Sequence, residues 1–129
     1  MSPGRILVVD TETEILGLLV RRLTRRGYQV TTAGSGREAL IQLQEIAYDA
    51  AILDSMMLGE NGSELARHCR ERHPSLKILI LTGSPVMAET EAAPYPFLRK
   101  PLDDMTLLDA AIERLLADCQ RGPANGGRR

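Results

Sequence analysis

A chain of 129 residues, 43% hydrophobic and 26% charged, has room for one ordinary apolar core and little else. Its 16 basic and 17 acidic residues leave a formal charge of -1, which argues against nucleic acid as a partner of the chain as a whole. No apolar run approaches membrane-spanning length, and Met1-Ser2-Pro3-Gly4-Arg5 leads into a short apolar run rather than forming a signal peptide, so a cytoplasmic location is expected.

The first run, Ile6-Leu7-Val8-Val9, has the branched, continuous apolar character of a strand buried on both faces, and it ends in Asp10, Thr11 and Glu12. Ile15, Leu19 and Leu23, joined by Leu16, Leu18 and Val20, then repeat at helical spacing until Gly27, which follows the basic pair Arg25 and Arg26. Tyr28 to Thr32 reads as a second strand. Ala39, Leu40, Leu43 and Ile46 make a second helical stripe, and Ala50-Ala51-Ile52-Leu53 a third strand that ends in Asp54. A shorter stripe (Leu65, Ala66, Cys69) precedes a fourth strand, Ile78-Leu79-Ile80-Leu81, which runs into Thr82-Gly83. Pro85, Pro94 and Pro96 discourage a regular helix in the next segment. Pro96-Phe97-Leu98 reads as a short last strand before Lys100-Pro101, and Leu108, Ala111, Ile112, Leu115, Leu116 and Cys119 form a clear final helix.

Alternation of this kind implies right-handed crossovers and an α/β doubly wound domain of five strands and about five helices, the fourth helix short or irregular. The domain is expected to span residues 4–121. Residues 122–129, rich in glycine and polar groups, then form a disordered tail or the start of a linker.

Ligands of open α/β sheets bind where loops leave the carboxyl ends of the strands. Those ends carry Asp10, Asp54, Thr82 and Lys100. Two carboxylates can hold a hard cation such as Mg2+, and one of them can attack a phosphoryl group. A lysine and a hydroxyl can then receive the transferred oxygens. Any one of these acids alone could simply cap a helix; the four together point to phosphoryl chemistry.

The run Ile6 to Asp10, the segment Leu53-Asp54-Ser55-Met56-Met57-Leu58-Gly59-Glu60-Asn61-Gly62, the step Leu81-Thr82-Gly83 and Lys100-Pro101 together resemble a response-regulator receiver domain of two-component signalling, chemotaxis-receiver-like, from about Arg5 to Gln120. The resemblance implies a flavodoxin-like parallel sheet in the order 2-1-3-4-5. It implies Asp54 as phosphoacceptor, Asp10 and Asp54 with the backbone carbonyl of Met56 as Mg2+ ligands, Thr82 as a hydroxyl that moves toward the phosphoryl group, and Lys100 as its cationic contact. Phe97 falls where the family keeps an aromatic switch, though as the sole phenylalanine it could equally be a core residue. The implied partners are a sensor histidine kinase or histidine phosphotransfer protein and a downstream protein, in a phosphorelay switch rather than an enzyme.

Three departures accompany the resemblance. Thr11 stands where the family keeps a second acid, so that Asp10, Asp54 and Lys100 sum to -1 and Mg2+ binding is expected to weaken. Glu12 is expected to serve the N-terminal turn of the first helix rather than replace that acid. The stretch from Thr82 to Lys100 is short by about one helical turn, and Leu58 replaces a common proline. The alternative within the fold is therefore a degenerate receiver that binds proteins independently of phosphorylation.

Other classes are less well supported. Gly34-Ser35-Gly36-Arg37-Glu38-Ala39 has the G-x-G-x-x-A form of a dinucleotide site but sits on the second unit, where Ser35 or Gly36 as a helix cap explains it better. A phosphohydrolase would want an acid at Met56. His68 and His73 read as solvated helix residues and Arg21, Arg22, Arg25 and Arg26 as a solvated face. Cys69 and Cys119 read as reduced thiols without metal-ligand spacing.

Overall fold

The computed structural model describes residues 4–54, 62–83 and 95–126. Five strands, β1 (Arg5–Val9), β2 (Gln29–Ala33), β3 (Ala50–Asp54), β4 (Lys77–Thr82) and β5 (Phe97–Arg99), form one parallel sheet in the order β2-β1-β3-β4-β5. The helices among the described residues are α1 (Thr13–Arg25), α2 (Gly36–Glu45), α3 (Gly62–Arg72) and the C-terminal α4 (Met105–Gly126). The segment expected to hold a short or irregular helix between β4 and β5 lies outside the described residues. So do Met56, Leu58 and the rest of the loop after Asp54.

Strand periodicity divides the interior in two. Leu7, Val9, Ala51, Leu53, Ile78 and Ile80 point to one face, where they pack with Ala39 and Leu43 of α2 and Leu65 and Cys69 of α3. Ile6, Val8, Ala50, Ile52, Leu79 and Leu81 point to the other, against Leu19 and Leu23 of α1 and Leu108, Ile112 and Leu116 of α4. Because successive strand side chains alternate between faces, continuous apolar runs are what a sheet covered on both sides requires. Every residue of β3 is buried, as befits the central strand.

The element ends follow from local chemistry. Gly27 adopts φ +96 just after α1, with its N–H donating to the Thr24 carbonyl at 2.9 Å, a backbone conformation that favours glycine. That turn holds Tyr28, whose N–H donates to Leu23, so β2 begins one residue later than its apolar pattern suggests. At α2, Ser35 Oγ accepts from the Glu38 N–H at 3.1 Å and Glu38 Oε1 accepts from the Gly34 N–H at 2.7 Å. The G-x-G-x-x-A segment is thus a reciprocal helix cap, with its first amides already bonded. Strand β5 is set by backbone bonds from Ile80 N–H to the Pro96 carbonyl (3.0 Å) and from Lys100 N–H to the Thr82 carbonyl (2.8 Å). Helix α4 carries on past Arg121, where composition sets the end of the domain, to Gly126.

The arginines of α1 are not simply a solvated face. Arg22 donates from Nε to Asp109 Oδ1 at 3.0 Å and from a terminal nitrogen to Oδ2, while Arg26 reaches Asp109 at 3.4 Å and also pairs with Glu113. Two turns of α1 are thereby tied to two turns of α4 above the second apolar cluster. Helical spacing alone could not show this, because the partners lie 87 residues apart.

Candidate phosphoryl-transfer site

The carboxyl ends of the three central strands and β5 place the four chemistry-bearing residues together. Asp10 follows β1, where its N–H continues the ladder to the Ala33 carbonyl at 3.2 Å, and it is fully buried. Asp54 closes β3 in register with Leu81, so that Thr82 lies one position further along the adjacent strand. Asp54 is 3% exposed and Thr82 is fully buried. The backbone bond from Lys100 to Thr82 then brings the lysine over the same edge.

The ammonium of Lys100 is the centre of the arrangement. Its Nζ lies 2.9 Å from Asp10 Oδ2, 3.1 Å from Glu12 Oε1 and 3.3 Å from Asp54 Oδ1. Burial works to lower the lysine's pKa, but hydrogen bonds to Asp10 and Glu12 and the charges of Asp54 and Asp10 outweigh it and raise the group above its ordinary value. Two buried carboxylates side by side would repel one another, and the ammonium between them offsets that repulsion.

Glu12 departs from its expected role. It occupies the N-cap position of α1, yet its side chain makes no capping bond. Instead its backbone N–H donates to Asp10 Oδ1 at 2.9 Å, closing a tight turn on the aspartate, and its carboxylate pairs with Lys100. A full ammonium attracts the carboxylate more strongly than the fractional charge at a helix start. Thr11 points out and is exposed.

Hard oxygen donors at Asp10 and Asp54, buried together and offset by one cation, fit a hard divalent ion that retains several waters. Among the described residues, no three carboxylate, imidazole or thiol groups are close enough to hold an ion between them as they stand. Met56, expected to lend its carbonyl, lies outside the described residues.

The remaining candidates separate clearly. Phe97 opens β5 on the sheet edge and is 45% exposed, so it is not the core residue that its rarity allowed. With Leu107 and Leu98 it lines an apolar cavity of about 580 Å³ beside the start of β4, at the far end of that strand from Thr82. His68 is only partly solvated: its Nε2 is buried with no hydrogen-bond partner among the described residues, and its ring lies 5.6 Å from that of His73. Burial, then the charges of His73 and Arg72, hold its pKa below the usual histidine value. Neither histidine approaches the acidic edge. Cys69 is a buried free thiol whose pKa burial pushes up to about 11, as expected of an unreactive core residue. No helix among the described residues is long and apolar enough to cross a membrane.

Comparison with known proteins places this geometry. The family model of the response regulator receiver domain matches residues 6–112. The transcriptional regulatory protein TcrA of Mycobacterium tuberculosis is 33% identical over 127 residues, which covers 95% of this chain and 49% of TcrA. The response regulator MprA of Mycolicibacterium vanbaalenii is 38% identical over 115 residues, 89% of this chain and 48% of that protein. The chain thus spans about half the length of these curated relatives. Among solved structures, the response regulator TrrA of Thermotoga maritima, in complex with Mg2+ and BeF, is 32% identical with a TM-score of 0.77 and covers 89% of this chain and 99% of that one.

Proposed function

The chain belongs to the response regulator receiver family, and from that premise we propose that it is a phosphorylation-controlled switch whose phosphoacceptor is Asp54. The observation that carries this reading is the convergence of Asp10, Asp54 and Thr82, all buried at one sheet edge, with the ammonium of Lys100 spanning both aspartates.

The carboxylate of Asp54 attacks the phosphorus of a phosphohistidine on a partner kinase or phosphotransfer protein. An O–P bond forms, the P–N bond breaks, and the imidazole leaves with its electron pair and takes a proton. Lys100, already held at the edge, offsets the charge of the transferred oxygens, and the Thr82 hydroxyl donates to one of them. Asp10 and Asp54, joined by the Met56 carbonyl, would hold Mg2+, which supplies further neutralisation of the phosphoryl oxygens. The Mg2+ and BeF bound by TrrA support that assignment.

Phosphorylation draws Lys100 and Thr82 toward the new anion. Phe97, three residues before Lys100 and half-exposed at the edge, changes its packing, and the surface around β5 changes its preference for a downstream protein. The chain then works by occupancy of two states rather than by turnover.

Thr11 favours a second reading, a receiver fold that binds its partner without phosphorylation. Incubation with Mg2+ and acetyl phosphate, followed by intact mass spectrometry, separates the two. A single phosphoryl adduct that vanishes in Asp54→Ala is the expected result. A folded protein with no adduct, beside a competent receiver control, would overturn the phosphoacceptor reading in favour of the binding module.

A further inference from the structure

Resting on the cation-assisted reading above, we propose that Glu12 replaces the acid missing at Thr11 as the third negative charge of the divalent-cation site, acting through the cation's hydration shell. Three observations lead there.

The first is position. The turn that bonds the Glu12 N–H to Asp10 Oδ1 brings residue 12 back over the end of β1, and its carboxylate lies within 3.3 Å of the same nitrogen that meets Asp10 and Asp54. Glu14, in the first turn of α1, is exposed, and Lys100 pairs with Glu12.

The second is charge. Asp10, Glu12 and Asp54 with one ammonium sum to -2, one unit more negative than the count that omits Glu12. The deficit left by Thr11 is made up one residue later.

The third is solvent. The Glu12 side chain is 61% exposed and the Lys100 side chain 16%, so the glutamate stands at the mouth of the site, with the buried aspartates beneath. A carboxylate there is well placed to accept hydrogen bonds from water on an ion that keeps most of its hydration. Among the described residues no three such groups lie close enough to enclose an ion directly, so Glu12 acts on the outer sphere. It also draws part of the Lys100 charge away from Asp10 and Asp54, where the ammonium competes with the cation. Both effects favour cation binding.

The test is Mg2+ titration of the unphosphorylated protein, followed by calorimetry or backbone amide shifts. An outer-sphere charge about 6 Å from a divalent ion, screened at moderate salt, is worth about three- to tenfold in affinity. Glu12→Gln should therefore weaken Mg2+ binding by that factor, Glu14→Gln should leave it unchanged, and Thr11→Asp added to Glu12→Gln should restore it. Unchanged affinity in Glu12→Gln, an equal loss in Glu14→Gln, failure of Thr11→Asp to restore binding, or no Mg2+ binding by the wild type would each overturn the proposal. The acetyl phosphate adduct on the same preparations separates the two levels. A wild type that forms the adduct while Glu12→Gln binds Mg2+ normally sinks this inference alone; a wild type that forms none sinks the phosphoacceptor reading as well.

Discussion

Replacing Lys100 by methionine keeps most of the side chain's volume and removes its charge. In the wild type the ammonium lies 2.9 Å from one buried carboxylate and 3.3 Å from another. At an effective dielectric of about 20, each contact is worth about 5 kcal/mol in gross Coulomb terms. Most of this is offset by the cost of drawing the lysine itself out of water, and its partial exposure screens the remainder. The net loss on leaving Asp10 and Asp54 facing one another should be about 3 kcal/mol, the low end for breaking a buried pair. With a urea slope of about 2 kcal/mol/M, the unfolding midpoint in EDTA should fall by about 1.5 M. Saturating Mg2+ should recover more of the midpoint in Lys100→Met than it adds to the wild type, because a bound cation takes over the neutralising role. A variant that unfolds at the wild-type midpoint in EDTA would refute the reasoning, since two adjacent buried carboxyl groups that lose the ammonium between them cannot do so without cost.

Two further outcomes concern pH. The Arg22 hydrogen bond, reinforced by the charge of Arg26, holds the Asp109 carboxyl below its usual range against the opposing effect of burial. A depressed carboxylate stabilises the fold above its unfolded pKa of about 4 and loses that contribution as pH falls through the folded value. Asp109→Asn should therefore be less stable than wild type in urea at neutral pH, with the gap closing at pH values below about 4; a gap independent of pH would contradict the ion-pair role. His68 has the same sign of linkage in a higher pH window. Its pKa is lowered by burial and then by His73 and Arg72, against the pull of Glu71, so the unfolded chain takes up a proton near pH 6.5 while the folded one does not. Stability should fall as pH drops below about 6.5, and His68→Gln should flatten that part of a thermal-melt series; parallel slopes would show that this ring does not contribute.

Much of the architecture was legible because it depends on local pattern. The runs at Ile6–Val9, Ala50–Leu53 and Ile78–Leu81 can be buried only if both faces of the sheet are covered, and that requirement leads to the crossovers and to strand ends sharing one edge. Ser35 and Gly27 likewise mark their helix ends by chemistry that needs no distant partner. The misreadings have a common cause. Local pattern assigns Glu12 to the nearest helix start, whereas its partner, Lys100, is 88 residues away. Periodicity makes Arg22 and Arg26 a solvated face because it describes one helix and says nothing of the Asp109 and Glu113 that face it. The burial of the His68 nitrogen and the exposure of Phe97 depend on what packs against α3 and β5, which hydrophobicity along a single segment does not encode.

The division of the interior into two apolar clusters that share no residue has an evolutionary consequence. A compensating change for Leu43 must be sought among its companions on one side of the sheet, and for Leu108 among those on the other. Each half of the molecule can therefore drift in sequence under its own packing constraints. Asp10 and Asp54 stand outside this freedom, since each is positioned by a strand whose residues belong alternately to both halves. Lineages could exchange nearly every core side chain, one face at a time, and still deliver the same carboxylates to the same edge.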